Sequence, residues 1–396
     1  MTTPAELRPG GLPDAVRDRP RLAQVANYVG PASGGLRVVV AALGEAHVRD
    51  GGHRLAVVPG PADDDVCLRD TDRRLVVRSP GLPGAAGHHV LLARAVVREH
   101  LAAFRPDVLE IHDQTTLAWL PAWARRRGIP TVLFAHEHLP LVVSEITGLP
   151  PRWTERVGHR WQARLSRDAD AVVCASDFAA RGYERAGARN VHRIPFGVDL
   201  ELFTPHARST VSAPWSPGAL RLVQVARLHP EKAPGLALDA LGWLRAAGVR
   251  AELVMAGTGP LEAAIRRRIA RERLPVRLMG HVTDRGRLAG LLAAADVALA
   301  LGPRETFGLS VLEAMAAGTP VVVHEQGASR ELLAPGTGLT AATAAGAAAA
   351  VRRLAADPLA GARARRRAEQ FPWTATCAAI GDLERALTAT GAASEG

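Results

Sequence analysis

Two doubly wound α/β domains facing a central cleft are what this sequence predicts, and three observations predict them. Short β-branched runs alternate with helical stretches through residues 21–199 and again through 219–325. A Pro/Ser-rich segment, PHARSTVSAPWSPG, separates the two series. The chain has 396 residues, more than one hydrophobic core usually serves.

Residues 1–20 are polar and contain proline, so they read as a loose leader. The first domain, 21–205, begins with RLAQVANYV (21–29), an apolar strand, followed by the glycine loop GPASGG (30–35) and the helical pattern LRVVVAALGEAHVRDGG. HRLAVVPG (53–60), RPDVLEIHD (105–113), IPTVLFAHEH (129–138), DADAVVCAS (168–176) and RNVHRIPFGVD (189–199) supply further strands. Residues 206–218 are the linker. The second domain, 219–372, has strand candidates at 219–228, 251–257, 275–282, 295–301 and 318–325. The alanine-rich stretch 339–358 reads as a surface helix, because alanine is the best helix former. Residues 373–396 hold a last helix, from about Trp373 to Thr388, free to return to the N-terminal domain.

Composition excludes several classes. No apolar run reaches the roughly 18 residues that span a bilayer, and MTTPAELRPG lacks the apolar centre of a signal peptide. Cys67, Cys174 and Cys377 lie far apart with no C-x-x-C spacing, which speaks against a disulfide framework and a zinc site and fits a reducing cytoplasm. The net charge of +10 suggests an acidic partner, yet nearly all the basic residues are arginine, as genome-wide codon bias would also produce. Lys232 is the one lysine in the chain.

Ligands of open α/β sheets bind outside the carboxyl ends of the strands, so the loops there carry the candidate chemistry. The densest is GPRETFGLSVLEAMAAGTPVV (302–322). Glu305 follows a strand, Thr306 is placed to cap, and Phe307 to Ala317 has helical periodicity ended by Gly318 and Pro320. Gly308 permits close approach, and the N–H groups of Phe307, Gly308 and Leu309 at a helix start favour an anion such as a pyrophosphate. Glu313 lies about two turns in, roughly 9–11 Å along the axis, so the two carboxylates suit two polyhydroxyl groups, a sugar and a ribose.

The stretch E-T-F-G-L-S-V-L-E-A-M-A-A-G-T-P-V-V resembles the donor-binding signature of glycosyltransferase family 4, the large retaining family with the GT-B fold. That resemblance implies that Glu305 contacts the transferred sugar, the amides after it contact sugar hydroxyls and phosphate, and Glu313 holds the ribose. VARLHPEKAP (225–234) resembles the family's strand-end segment, in which Arg227 and Lys232 neutralise the donor pyrophosphate as leaving-group charge develops. MAGTGPL (255–261), with Gly257, resembles the glycine turn behind the nucleotide. GHVTDRGRL (280–288), with Val282 and Asp284, resembles the base-binding loop.

In the first domain, Gly34 and Gly35 stand where the family has a glycine loop facing the phosphates, and His136 matches its cleft histidine, which hydrogen-bonds the transferred sugar. Strand 53–60 ends in Pro59 and Gly60 rather than an acid, which speaks against a nicotinamide dinucleotide. Asp168-Ala169-Asp170 fits D-x-D but precedes a buried strand, so it reads as structural. No obligatory metal is expected, with Mg²⁺ at most non-essential.

The function so implied is transfer of a hexose from a sugar nucleotide to a hydroxyl acceptor with retention, the departing phosphate taking the acceptor proton. GDP-mannose is the favoured donor, because Asp284 is placed to accept from the guanine edge and the whole chain is similar to actinobacterial phosphatidylinositol mannosyltransferases. The expected acceptor is an anionic glycolipid, reached from the cytoplasmic face of the membrane. The basic stretch 152–167, with Trp153 and Trp161 eight apart, suits either a membrane surface or core packing. A UDP-hexose enzyme, a sugar-nucleotide epimerase of the same fold and a noncatalytic basic binder are the competing readings, and no nucleic-acid partner is expected.

Overall fold

A computed structural model of the chain describes residues 20–29, 34–81, 88–140, 143–144, 148, 150–210 and 214–393. Of the polar leader only Pro20 falls among them, and residues 30–33 of the glycine loop lie outside. In the N-terminal half the described strands are β1 (Arg21–Ala26), β2 (His53–Gly60), β3 (Asp64–Arg69), β4 (Asp72–Arg78), β5 (Val108–His112), β6 (Thr131–Phe134), β7 (Ala171–Cys174) and β8 (Val191–Arg193). They form one sheet in the order β3-β4-β2-β1-β5-β6-β7-β8, parallel except where β3 pairs antiparallel with β4. Helices α1 (Gly35–Arg49), α2 (Arg94–Phe104), α3 (Leu120–Arg125), α4 (Pro151–Asp168) and α5 (Asp177–Arg185) connect them. The central strands are buried at every position, as expected where helices cover both faces.

The C-terminal half repeats the plan. β9 (Leu220–Val225), β10 (Ala251–Ala256), β11 (Val276–Gly280), β12 (Val297–Ala300), β13 (Val321–His324) and β14 (Gly338–Ala341) make a parallel sheet in the order β11-β10-β9-β12-β13-β14. Around it lie α6 (Pro234–Ala246), α7 (Glu262–Glu272), α8 (Arg285–Ala294), α9 (Leu309–Ala316), α10 (Ala344–Ala355), α11 (Ala360–Ala368) and α12 (Trp373–Ala393). In each sheet the strand order reverses once, between β1 and β5 and between β9 and β12. The loops leaving those strands are where an α/β sheet presents its ligand site.

Three features differ from the sequence expectation. The β3–β4 hairpin occupies a stretch with no predicted strand. The alanine-rich run opens as strand β14, paired with β13 from Val321 opposite Gly338, and turns helical only at Ala344, where Thr343 Oγ1 caps by accepting from the Gly346 N–H. That helix is amphipathic, burying Ala347, Val351 and Leu354. Within the linker, Pro205–Thr210 forms a 3-10 turn and Trp215 is 6% exposed, its Nε1 donating to Leu222 O at 3.1 Å.

The C-terminal helix packs against the N-terminal half. Val198 N–H donates to Phe371 O at 2.9 Å, Thr376 Oγ1 donates to Pro195 O at 2.9 Å, and a Cβ on Gly197 would lie 2.5 Å from the Trp373 backbone. Only glycine lets the two backbones approach so closely. The chain therefore crosses between the halves twice.

Candidate active site

The loop after β9 supplies the cations. Leu228, 1% exposed, pins it to the core, and Pro230–Lys232 makes one 3-10 turn before Ala233, at φ 45°, starts α6. This turn sends Lys232 inward, with Nζ 2.6 Å from Glu305 Oε2, and leaves Arg227 Nη2 2.6 Å from Glu231 Oε1. Gly302, opening the loop after β12, passes so close that a Cβ there would lie 2.7 Å from Glu231 O. The expected pair of cations and Glu305 are thus brought together by the two loops at the switch point.

Burial works to raise the Glu305 carboxyl, but Lys232, Arg227 and the Phe307 N–H hold it below the usual carboxylate range. It stays ionised at neutral pH. The helix after it begins at Leu309 rather than Phe307, with Gly308 as N-cap at φ 103°. That left-handed conformation favours glycine, and a Cβ there would also lie 2.3 Å from Ser329 Oγ. Thr306 is therefore not the cap. The Phe307 N–H is turned to Glu305, while Gly308 O accepts from Val311 and Leu312; among the described residues the Gly308 and Leu309 N–H groups have no backbone acceptor and remain for an anion.

Across the cleft, His136 follows β6. Its ring stacks on Phe134 and Phe196, centroids 5.7 and 5.6 Å away, and its Nε2 lies 2.9 Å from His112 Nδ1. Burial first, then the neighbouring His112, push its pKa well below the usual histidine value, so the imidazole is neutral. Thr306 binds the two halves here: its Oγ1 donates to His136 O at 2.6 Å, and its carbonyl accepts from Ser176 Oγ at 2.6 Å. Glu331 adds a second tie, accepting from the Asp177 and Phe178 N–H groups at 2.7 and 2.9 Å at the start of α5. Gly34 is the N-cap of α1, with open space where a Cβ would stand, and a Cβ on Gly35 would lie 2.8 Å from Leu309 Cδ1. Gly35 thus lies against the start of α9 across the cleft.

The side expected to hold the nucleotide is built from β10, β11 and α9. Gly257, at φ 145°, has no room for a Cβ, which would meet Ala226 O at 2.0 Å; its N–H donates to Gly280 O at 2.8 Å. Val282 lies half-buried in the loop after β11. Glu313, 7% exposed, pairs with Arg285 Nη2 at 3.1 Å, and that guanidinium lies over the Phe203 ring. Burial outweighs Arg285 and raises the Glu313 carboxyl. Sequence reasoning missed Arg285, one arginine among many, because only the fold makes it the partner of Glu313. Asp284 is exposed and caps α8, its Oδ1 accepting from the Arg287 N–H at 3.1 Å, which leaves one carboxylate oxygen for a base.

Asp168 and Asp170 serve the fold. Asp170 Oδ2 accepts from the Thr131 N–H and hydroxyl at 2.8 and 2.9 Å, and Asp168 pairs with Arg125 and Arg164. Among the described residues no group of three or more His, Cys, Asp or Glu side chains is arranged to hold a metal ion. Beside the catalytic cleft lies a cavity of about 540 Å³ lined by His138, Phe178, Arg181, Arg185, Glu325 and Arg330, among others. Burial and then Asp113 push the Glu137 carboxyl up to about 8, with Arg227 opposing from across the cleft.

Comparison with known proteins identifies the family. Residues 33–202 match the family model Glycosyltransferase Family 4, and residues 219–357 match Glycosyl transferases group 1. The chain is 40% identical over 365 residues to a GDP-mannose-dependent alpha-(1-6)-phosphatidylinositol dimannoside mannosyltransferase of Mycobacterium tuberculosis, covering 91% of this chain and 94% of the relative. It is 32% identical over 297 residues to a GDP-mannose-dependent alpha-mannosyltransferase of the same species, covering 73% and 75%. The solved sucrose-phosphate synthase of Thermosynechococcus elongatus superposes with TM-score 0.77 at 22% identity, covering 94% of this chain and all of that one. With its switch-point cations, its paired glutamates and both halves matched, the chain belongs to glycosyltransferase family 4, a nucleotide-sugar-dependent glycosyltransferase with the GT-B fold.

Proposed function

We propose that this enzyme transfers mannose, with retention, from GDP-mannose to a hydroxyl of a mannosylated phosphatidylinositol. The 40% identity over nine-tenths of the chain to an enzyme named for that donor and acceptor carries the reading. In the reaction Arg227, Lys232 and the free amides at the start of α9 stabilise the diphosphate as the glycosidic bond breaks, while Glu305 and His136 hold the sugar. Glu313, steadied by Arg285, takes the ribose hydroxyls.

The cavity beside the cleft supports an anionic acceptor. Arg181, Arg185 and Arg330 outnumber Glu155 and Glu325 in its wall, and Gln326 leads to Gly327, whose Cβ would lie 3.6 Å from Glu305 Cβ. The headgroup phosphate sits among these arginines with its sugar toward the donor. Helix α4 adds a membrane-facing surface: it buries Thr154, Gln162, Leu165 and Ser166, ties Trp161 to the protein through Nε1 donating to Gln114 O at 2.8 Å, and turns outward Trp153 and Val157, at 50 and 41% exposure, among Arg156, Arg160 and Arg164. Among the described residues no helix is long and apolar enough to cross a membrane.

The test is product formation from radiolabelled GDP-mannose, UDP-glucose and UDP-galactose with mannosylated phosphatidylinositol in vesicles. Mannosylated lipid from GDP-mannose alone is expected. Transfer from a UDP-hexose in preference, or an epimerised nucleotide with no transfer, would overturn the proposal.

A further inference from the structure

The catalytic histidine is the visible end of a buried chain of polar side chains. His136 Nε2 meets His112 Nδ1 at 2.9 Å, and His112 Nε2 meets Glu110 Oε2 at 3.0 Å. Glu110 Oε2 also accepts from Gln24 Nε2, and Gln24 Oε1 accepts from Arg54 Nε at 2.7 Å. Glu110, His112 and Gln24 are each no more than 1% exposed. A buried network of this kind is costly unless every member is satisfied.

One atom of the chain remains unexplained by that strand-to-strand path. Glu110 Oε1 is fully buried and receives no N–H donor, and Glu384 Oε1 on α12 is buried in the same condition. The two side chains are hydrogen-bond neighbours, with Glu384 3% exposed. Two carboxylates in contact inside a protein cannot both ionise; a proton shared between them satisfies both orphan oxygens. Glu110 Oε2 already accepts from Gln24 Nε2 and lies 3.0 Å from His112 Nε2, contacts that favour an ionised carboxylate, so the proton sits on Glu384, which donates to Glu110. Burial and then Glu110 also raise Glu384 well above the usual carboxylate range.

The hydrogen bookkeeping then runs to the cleft. An ionised Glu110 takes the His112 Nε2–H, and His112 Nδ1 is the ring nitrogen turned to His136. With His136 Nε2–H donating to that atom, its Nδ1 presents a lone pair to the cleft and accepts a hydrogen bond from a sugar hydroxyl. We propose that Glu384, on the returning C-terminal helix, is a positioning residue that acts through Glu110 and His112 to fix the tautomer and orientation of His136. It touches neither donor nor acceptor. The inference rests on His136 binding the transferred sugar, but its first readout needs no substrate at all.

The experiment compares Glu384→Gln, whose amide still donates to Glu110, with Glu384→Leu, which leaves Glu110 Oε1 without a donor and the carboxylate free to turn away from His112. Histidine-selective ¹⁵N spectra of the full chain, assigned through His136→Ala, read the tautomer directly. The parent and Glu384→Gln should show His136 protonated at Nε2, and Glu384→Leu should show a mixture or the Nδ1–H form. With donor and acceptor saturating, kcat should fall about tenfold or more in Glu384→Leu and stay within about twofold in Glu384→Gln, GDP affinity being unchanged in both. If Glu384→Leu folds, keeps the parent tautomer and keeps its kcat, the proposal is wrong. The same holds if Glu384→Gln loses kcat as fully as Glu384→Leu. Should Glu384→Leu fail to fold, the parent spectrum carries the test, since His136 protonated at Nδ1 rather than Nε2 in the parent would overturn the relay. A shifted tautomer with normal turnover would instead refute the sugar-binding role of His136 and leave the relay standing.

Discussion

Replacing Lys232 with methionine keeps the length of the side chain and removes its charge. Its Nζ lies 2.6 Å from Glu305 Oε2, and both side chains are about a quarter exposed, at 22 and 24%. A unit charge about 4 Å from a developing negative charge is worth about 4 kcal/mol at an effective dielectric near 20. Removing one preorganised donor from a developing oxyanion typically costs about 2.7–4 kcal/mol, or 10²–10³ in rate. The donor diphosphate is already charged before reaction, so part of that energy acts in binding. Lys232→Met should thus lower kcat about 10²-fold and weaken GDP about tenfold, which together stay within that range. Loss of the ammonium also removes the main influence holding the Glu305 carboxyl down, so the double variant Lys232→Met/Glu305→Gln is needed to show that the rate is not lost to protonation of Glu305 alone. Initial rates at saturating GDP-mannose and calorimetric titration with GDP measure both quantities. A variant that melts like the parent and turns over within threefold of it would refute the assignment of Lys232 to the leaving group.

His136→Ala should keep GDP affinity and lose about 10²-fold in kcat, about 2.7 kcal/mol of barrier, because it acts beside the breaking bond; normal turnover would remove it from the mechanism. Glu313→Ala should chiefly weaken GDP binding in calorimetry. Since burial raises the Glu313 carboxyl, the ionised ribose acceptor is lost as pH falls through that raised value, so GDP affinity should decline on acidification and the decline should flatten in Glu313→Gln. Asp284→Ala should cost about 1 kcal/mol of stability through the lost helix cap and narrow the preference for GDP over UDP in thermal shift; an unchanged preference would exclude Asp284 from base recognition. With Arg227 and Lys232 supplying the positive charge, EDTA should leave most of the turnover, and complete loss restored by magnesium or manganese would show a metal site that the cations do not replace.

The architecture was legible because buried parallel strands are nearly continuous apolar runs, and VLEIH, TVLF and AVVC each read as such before any fold was known. The β3–β4 hairpin was not, because an edge strand with one neighbour needs no apolar face: DDVCLR is exposed or half-exposed throughout. β14 was hidden for another reason. Its four residues, GLTA, run into an alanine tract whose intrinsic preference is helical, and pairing with β13 overrides that preference. At the site, Lys232, Glu305 and Glu313 stood out because their spacing repeats a family pattern. Arg285, Glu110 and Glu384 carry no local signature, since what each does depends on a partner 28 residues away for Arg285 and at the other end of the chain for Glu384.

The ties at Thr306 and Glu331 bear on how the enzyme turns over. The bonds from Thr306 to His136, from Ser176 to Thr306 and from the start of α5 to Glu331 all span the two halves, and all must break for the cleft to gape. At about 1 kcal/mol net for each of these bonds, and with the Arg181–Glu331 ion pair beside them, they form a latch that opposes opening by roughly 4 kcal/mol. Thr306→Val, which removes one latch bond, should make the enzyme release GDP faster and hydrolyse its donor more often.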